Sequence, residues 1–328
     1  MSKRIGRLPL VPASFFGIVL GLIGLGGSWR VAHQLWALPS MIGEVLMALG
    51  VLVWGVVLLL FVSKWIMSSD AAWTEALHPV QCCYIGLAGV STMLVAVAVQ
   101  PYHLVAAMCI FGIGLGFTLG FALWRTGHLL RGGRDPSAST PVLYLPTVAG
   151  SFVTAIGAAV LGFPQWGKLA FGAGLFSWLA VESVLLHRLY TSEPLAPAVR
   201  PTLGIQLAPA TVGALAYLSV TDGPPDTVVY ALIGYGLLQF LLLVRLLPWI
   251  LEQPVSAAYW GFSFGLTALA GALLRMVLRG DTGPAATMAP VVFVVVNLVM
   301  AALVLRTLWL LVSGRILPPT VALARVPS

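Results

Sequence analysis

The chain is poor in charge. Asp, Glu, Lys and Arg make up 8% of its 328 residues, whereas a soluble domain carries about 25%, so a mainly soluble protein is excluded. It is also poor in cysteine. Cys82, Cys83 and Cys109 form no C-x-x-C pair and fall inside apolar runs, which argues against a disulfide framework or a zinc site and leaves cysteine as a small apolar residue. H-E-x-x-H, G-x-S-x-G, paired intramembrane aspartates and a P-loop are all missing, so neither hydrolytic chemistry nor an ATP-driven pump is expected. Gly112-Ile113-Gly114 lies within an apolar run, where it has no phosphate to hold. The chain therefore reads as no enzyme, with no cofactor and no metal. The alternating short strands of a membrane barrel are absent too.

What the sequence has in quantity is hydrophobicity: 59% of residues are apolar and mean hydropathy is +1.00. In hydrocarbon each backbone amide and carbonyl needs a partner within its own segment, so long apolar runs must be helices, each of about 20 residues. Ten such spans are expected: Pro12 to Val31, Ile42 to Ile66, Pro79 to Val99, Val105 to Arg125, Leu143 to Phe163, Leu169 to Tyr190, Leu203 to Val220, Thr227 to Leu251, Ala257 to Leu278 and Ala285 to Ser313. The fold class is an all-α polytopic membrane protein. Residues 1–328 form one membrane domain, with a core of about 8–314 between short tails. Lys3, Arg4 and Arg7 followed by Phe15 to Gly26 could pass for a secretory signal, but the apolar part runs on to Gly27 without a small-x-small cleavage site, so it reads as the first span.

Lys and Arg set the orientation. With the amino terminus in the cytoplasm, thirteen of the 17 fall on that side and only Arg30, Lys168, Arg275 and Arg279 on the other, a strong positive-inside bias. Both termini are then cytoplasmic, which an even number of spans requires. The net charge of +7 is mostly this bias, and nucleic-acid binding is a poor reading of it; the partner is the lipid bilayer.

A repeat runs through the spans. Pro12, Pro79, Pro146 and Pro209 each open an odd-numbered span rich in small residues, at separations of 67, 67 and 63 residues, and Gly265 occupies the corresponding place in the last unit. Each unit holds one odd and one even span, so the chain reads as five helical hairpins in tandem. Proline-bent, small-residue helices suit an inner ring better than a lipid face, and the Leu- and Val-rich even spans suit the outside. Gly17 with Gly21, and the series Gly112, Gly116, Gly120, have the small-xxx-small spacing of close helix packing. Phe16, Pro79, Pro146, Pro209 and Gly261 are expected on the inner side of this ring.

In Tyr259 to Ala270, YWGFSFGLTALA, the ring of Phe264 stands directly before Gly265. On a pore-lining helix such a ring is a plug, since a phenyl group excludes ions sterically and strips their water; elsewhere it is an ordinary packing residue. Glu182, in FSWLAVESVLLHRL, lies mid-span, where a charge costs about 2.5 to 3.5 kcal/mol on insertion scales. On an even span it reads as a structural acid tying its helix to neighbours, with a proton or substrate site as the rival. Gln81, Gln206, Gln239 and Asn297 read as interhelical hydrogen bonders.

Six blocks, LPLVPASFFGIVLGLIGLGGSWR, LYLPTVAGSFVTAIG, GAGLFSWLAVESVLLHRL, LGIQLAPATVGALAYLSV, GYGLLQFLLLVRLLPW and WGFSFGLTALA, together resemble the tellurite-resistance and dicarboxylate transporter family, bacterial members most strongly and plant guard-cell slow anion channels and fungal malate transporters more distantly. The resemblance implies ten helices in five hairpins, a central quasi-fivefold pore lined by the odd helices and so by those five inner-side residues, homotrimers with one pore per protomer, and the inner membrane of a bacterium. It maps the family's occluding phenylalanine onto Phe264 and the glycine that leaves room for that ring onto Gly17. At Gly265 the chain departs from the plant channels, which have proline.

The expected function is a gated channel for small monovalent anions such as chloride or nitrate. With no Lys or Arg on the odd spans except Arg30 and Arg275 near their outer ends, selection should follow the cost of dehydration, while positive charge at the mouths repels cations. The alternatives are a proton-coupled exporter of dicarboxylates or tellurite-like oxyanions, and a scaffold whose pore never opens.

Overall fold

The structure, a computed structural model, describes residues 9–317. Lys3, Arg4, Arg7 and Arg325, used above for orientation, lie outside the described residues, as do the two tails. Ten helices are long and apolar enough to cross a membrane: Ala13–Trp36, Ser40–Met67, Gln81–Val99, Leu104–Leu129, Pro141–Val160, Pro164–Thr191, Pro197–Val220, Thr227–Ile250, Ala257–Leu278 and Pro284–Val312. They are numbered here as spans 1 to 10. The seventh begins six residues earlier than the sequence suggests, because Pro197–Leu207 winds as a 3-10 helix that accommodates Pro201.

The two kinds of span differ in backbone as well as composition. Every even span is one uninterrupted α-helix of 24 to 29 residues. Every odd span starts with a tightened or loosened stretch, 3-10 at Ala13–Phe15, Gln81–Gly86, Pro197–Leu207 and Ala257–Phe262, and 3-10 then π at Pro141–Leu143 and Leu145–Ala149, before it settles into an α-helix. Proline is therefore not the repeated cause that its spacing suggests: neither Gln81–Gly86 nor Ala257–Phe262 contains one. What recurs is the irregular start, which is tolerated in a membrane only where other protein surrounds it.

That surrounding is supplied by a closed ring. Span 1 packs on span 3, 3 on 5, 5 on 7, 7 on 9, and 9 back on 1, while each even span lies against its own odd partner. Between 67% and 89% of each odd span's most apolar stretch is buried, against 22% to 33% for the even spans. The exposed residues outside are the bulky aliphatics a bilayer would cover, such as Leu59, Leu123 and Leu305. Five hairpins around an axis are thus the observed architecture.

Glycines show which helix faces meet. A Cβ on Gly21 would lie 2.5 Å from Ser263 Oγ, and one on Gly114 would lie 2.9 Å from the carbonyl oxygen of Gly89, so span 1 seats the Ser263 side chain of span 9 against its glycine, and spans 3 and 4 approach at backbone distance. The Gly112, Gly116, Gly120 series is a correction: a Cβ at any of the three meets nothing within 4 Å. At about 100° per residue Gly114 points some 200° away from Gly112, and it alone of the four faces the neighbouring helix. The connection between spans 2 and 3, legible only as a loop, forms a short helix, Ser69–Leu77.

Candidate conduction cavity

The irregular starts of the five odd spans enclose one cavity on the molecule's axis, about 50 Å³ in volume and lined by residues from all five spans. That is room for a few water molecules. No lining residue is charged, and the lining includes Ser14, Tyr84, Tyr144 and Trp260, of which the Tyr144 hydroxyl and the Trp260 indole N–H donate outwards to Glu182 and Thr307. Because all five spans run in from the same side, the last lining residue along each marks the deep end: Leu20, Leu87, Phe152, Val212 and Phe264, one per span and every one apolar.

Phe264 is 7% exposed, and the backbone that carries it is held from two sides. Thr211 Oγ1 of span 7 donates to the carbonyl oxygen of Gly265 at 2.9 Å, and Ser28 Oγ of span 1 donates to that of Thr267 at 2.9 Å. Gly265 lies outside the cavity lining. A Cβ there would come within 2.9 Å of the Ala208 amide nitrogen, so this glycine serves the contact of span 9 with span 7.

The other expected site residues divide. Gly17, Gly261 and Pro209 line the cavity; Phe16, Pro79 and Pro146 do not. Phe16 is turned outward, its ring 5.5 Å from that of Phe61 on span 2, because the 3-10 turn before it shifts the phase of span 1. Pro79 precedes the turn of span 3, where its carbonyl accepts from Arg125. Pro146 is buried in the π turn between the lining residues Leu145 and Val148. The residue beside Gly17 is Trp260, whose Cβ would lie 3.7 Å from an added Cβ; the position facing the Phe264 ring is Gly24, at 3.5 Å.

Glu182 is buried on span 6 and accepts four hydrogen bonds: from the Tyr144 hydroxyl, from Trp178 Nε1 at 2.9 Å, from Gln206 Nε2 at 2.9 Å and from the Tyr235 hydroxyl at 2.5 Å. Four donors fill the roughly four lone-pair positions of an ionised carboxylate. Gln206 and Asn297, which accepts from Trp29 Nε1 at 2.8 Å, join helices as expected; Gln239 does not, since its Nε2 donates at 2.8 Å to Tyr235 one turn earlier on its own helix. Among the described residues Gln81 has no such bond.

Apart from Glu182, the charged side chains of the described residues lie toward the two ends of the spans. On the side where the odd spans begin, Lys64 pairs with Glu75 of the short helix, both almost fully buried; Lys64 Nζ also donates to the carbonyl of Val11 at 2.8 Å, and Glu75 Oε1 accepts the amide of Ala13 at 2.8 Å. Arg134 at the same end is pushed below its usual pKa by burial. On the far side Arg275 donates to Ser219 Oγ at 2.8 Å and Arg279 to the carbonyls of Leu218 and Thr221. A polar recess of about 260 Å³ there holds Lys168, Arg279, Asp222 and Asp226. The hydroxyl of Tyr217, joined by the amides of Val228 and Val229, holds the Asp226 carboxyl below the ordinary aspartate value. Among the described residues no group of His, Cys, Asp and Glu could hold a metal ion.

Sequence reading missed Tyr84, Tyr144 and Trp260 on the cavity wall and the Lys64–Glu75 pair. Tyr84 and Tyr144 left a signal: both are tyrosines within the irregular starts of successive odd spans. The pair left none, since its partners belong to different helices.

Comparison with known proteins bears on this arrangement. Residues 11–308 match the family of voltage-dependent anion channels, SLAC1. The chain is 36% identical over 310 residues to the tellurite resistance protein TehA homolog of Haemophilus influenzae, covering 93% of this chain and 92% of that one. It is 27% identical to the guard cell S-type anion channel SLAC1 of Arabidopsis thaliana over 80% of this chain and 49% of the plant protein. With the S-type anion channel SLAH3 of the same plant it is 24% identical over 90% and 48%, so the chain spans about half the length of these plant relatives. By the extent of the family match and the identity to the bacterial relative, the chain belongs to the voltage-dependent anion channel family.

Proposed function

We propose that the axial cavity is the closed pore of a channel for small monovalent anions such as chloride or nitrate, with Phe264 as the movable part of its stopper. The observation that carries this is the ring of Leu20, Leu87, Phe152, Val212 and Phe264 at the deep end of an uncharged cavity to which all five odd spans contribute. An apolar constriction of this kind stops ions by dewetting, and a pore without a fixed charge in its wall binds anions weakly enough to release them. Easily dehydrated anions then pass best. The relatives named as anion channels support the same class of cargo.

The proton-coupled exporter is less well supported, because Glu182 lies outside the cavity lining, held by side chains of spans 5 to 8. The reading extends to three copies per assembly, each with its own pore, in the inner membrane of a bacterium with both termini in the cytoplasm; the Lys and Arg bias supports the orientation.

The test is electrical recording from the purified protein in planar bilayers. Phe264→Ala should produce a steady anion current at least tenfold above the parent. Because four apolar residues of the ring remain, the current should still depend on anion dehydration, with nitrate ahead of chloride. Equal silence of parent and variant, at matched protein amounts, would remove Phe264 as the stopper.

A further inference from the structure

We infer that Glu182 is a specificity-determining residue: a fixed negative charge set just behind the pore wall that discriminates against divalent anions. The inference rests on the channel reading above. Tyr144 lines the cavity, and its hydroxyl donates directly to Glu182 Oε2, so one phenol group separates the carboxylate from the conducting space. The carboxylate has no cationic partner among the described residues, whose three ion pairs are Arg30–Glu44, Lys64–Glu75 and Arg200–Glu252. All four of its hydrogen bonds come from neutral donors on spans 5, 6, 7 and 8, whose dipoles oppose part of its field but carry no compensating net charge.

No counter-charge among the described residues cancels the net charge that remains. On its outer side Glu182 forms the floor of a groove walled by Leu175, Leu179, Ala231 and Leu232, which a bilayer fills with hydrocarbon. Gln206, the amide that donates both to Glu182 and to Tyr144 at 2.9 Å, leaves its own Oε1 buried without a donor, and this second unmet negative end adds to the first. In such a low-dielectric setting a charge acts at longer range and more strongly than in water.

The consequence follows from the linearity of Coulomb's law in ion charge. An anion at the constriction is repelled in proportion to its valence, so sulfate or a dicarboxylate meets twice the penalty of chloride, on top of its larger dehydration cost. Monovalent anions are slowed a little and divalent ones are excluded. A second effect is that no anion lodges in the closed cavity.

The experiment uses the open background Phe264→Ala in planar bilayers and reads relative permeabilities from bi-ionic reversal potentials. Chloride should exceed sulfate at least tenfold. Two independent neutralisations are then added, Glu182→Gln, which removes the charge, and Gln206→Lys, which places an ammonium against it. Each should lower the chloride-to-sulfate ratio at least fivefold while leaving the chloride-to-nitrate ratio, between two monovalent ions, within twofold. The exchange Glu182→Gln with Gln206→Glu, which keeps one carboxylate and one amide in the cluster, should restore the ratio.

An unchanged chloride-to-sulfate ratio in either folded variant overturns the inference and leaves the channel standing. Parallel changes in both ratios mean a reshaped pore and overturn it as well. Should neither variant accumulate, sulfate passing as readily as chloride through Phe264→Ala still refutes the charge barrier. Silence of Phe264→Ala takes away the channel reading and this inference with it.

Discussion

Lys64 and Glu75 offer the sharpest quantitative test of how the near end of span 1 is held. Their side chains are 4% and 5% exposed. Lys64 Nζ serves both Glu75 and the Val11 carbonyl, and Glu75 serves both Lys64 and the Ala13 amide, so the pair ties span 2 and the short helix to the backbone leading into Ser14 and Gly17. Lys64→Met leaves a buried carboxylate with one donor, at a cost of about 3–5 kcal/mol, and Glu75→Gln leaves a buried ammonium at a similar cost. The double variant removes both charges and keeps an acceptor for the Ala13 amide, so its main loss is the partner of one buried carbonyl, about 1–3 kcal/mol. The sum of the singles should therefore exceed the double by at least ~3 kcal/mol. At roughly 2–4 °C per kcal/mol, each single lowers the melting temperature in detergent by about 6–20 °C, and the double by less than either. Melting curves at one scan rate, by intrinsic tryptophan fluorescence, measure this. Additive singles, or singles that shift melting by under ~2 °C, would show that the pair is hydrated and refute the reasoning.

Thr211→Val keeps the side-chain volume and deletes the bond to Gly265; at the ~0.6 kcal/mol average for such bonds in membranes, the conducting fraction should rise about threefold, and unchanged current at equal protein would show that span 9 is not held there. Gly114→Val should abolish stable folding, since its Cβ would fall 2.9 Å from both the Gly89 carbonyl and the Met93 amide, whereas Gly112→Val should melt like the parent; size-exclusion profiles distinguish the two. Asp226 has a folded pKa below its ordinary value of 3.8, so its contribution to stability is complete above that value and is lost as pH falls through the folded one. Asp226→Asn should flatten the acid limb of a melting-temperature profile below about pH 4, and an unchanged profile would count against the Tyr217 contact.

The ten spans, their pairing into hairpins and the division into inner and outer helices follow from the sequence alone, because they depend on properties each segment carries within itself. An apolar run of about 20 residues must be a helix in lipid, and a segment such as PTVAGSFVTAIG, rich in small residues, can be surrounded by protein more tightly than VLVWGVVLLLF. Phe264 was legible for the same reason, as an aromatic among small residues.

Which side chains face the axis was decided only by the tertiary structure. Facing depends on helix phase, and a 3-10 turn advances about 120° per residue where an α-helix advances about 100°; a few such residues at the start of span 1 are enough to turn Phe16 outward onto Phe61. The same holds for Gly114 in place of Gly112, since the packing face of span 4 is chosen by Gly89 on another helix. Glu182 depends most on the fold. Its charge and the Trp178 donor one turn before it are visible in the sequence, but its other three donors come from spans 5, 7 and 8 and reach it only through the tertiary fold.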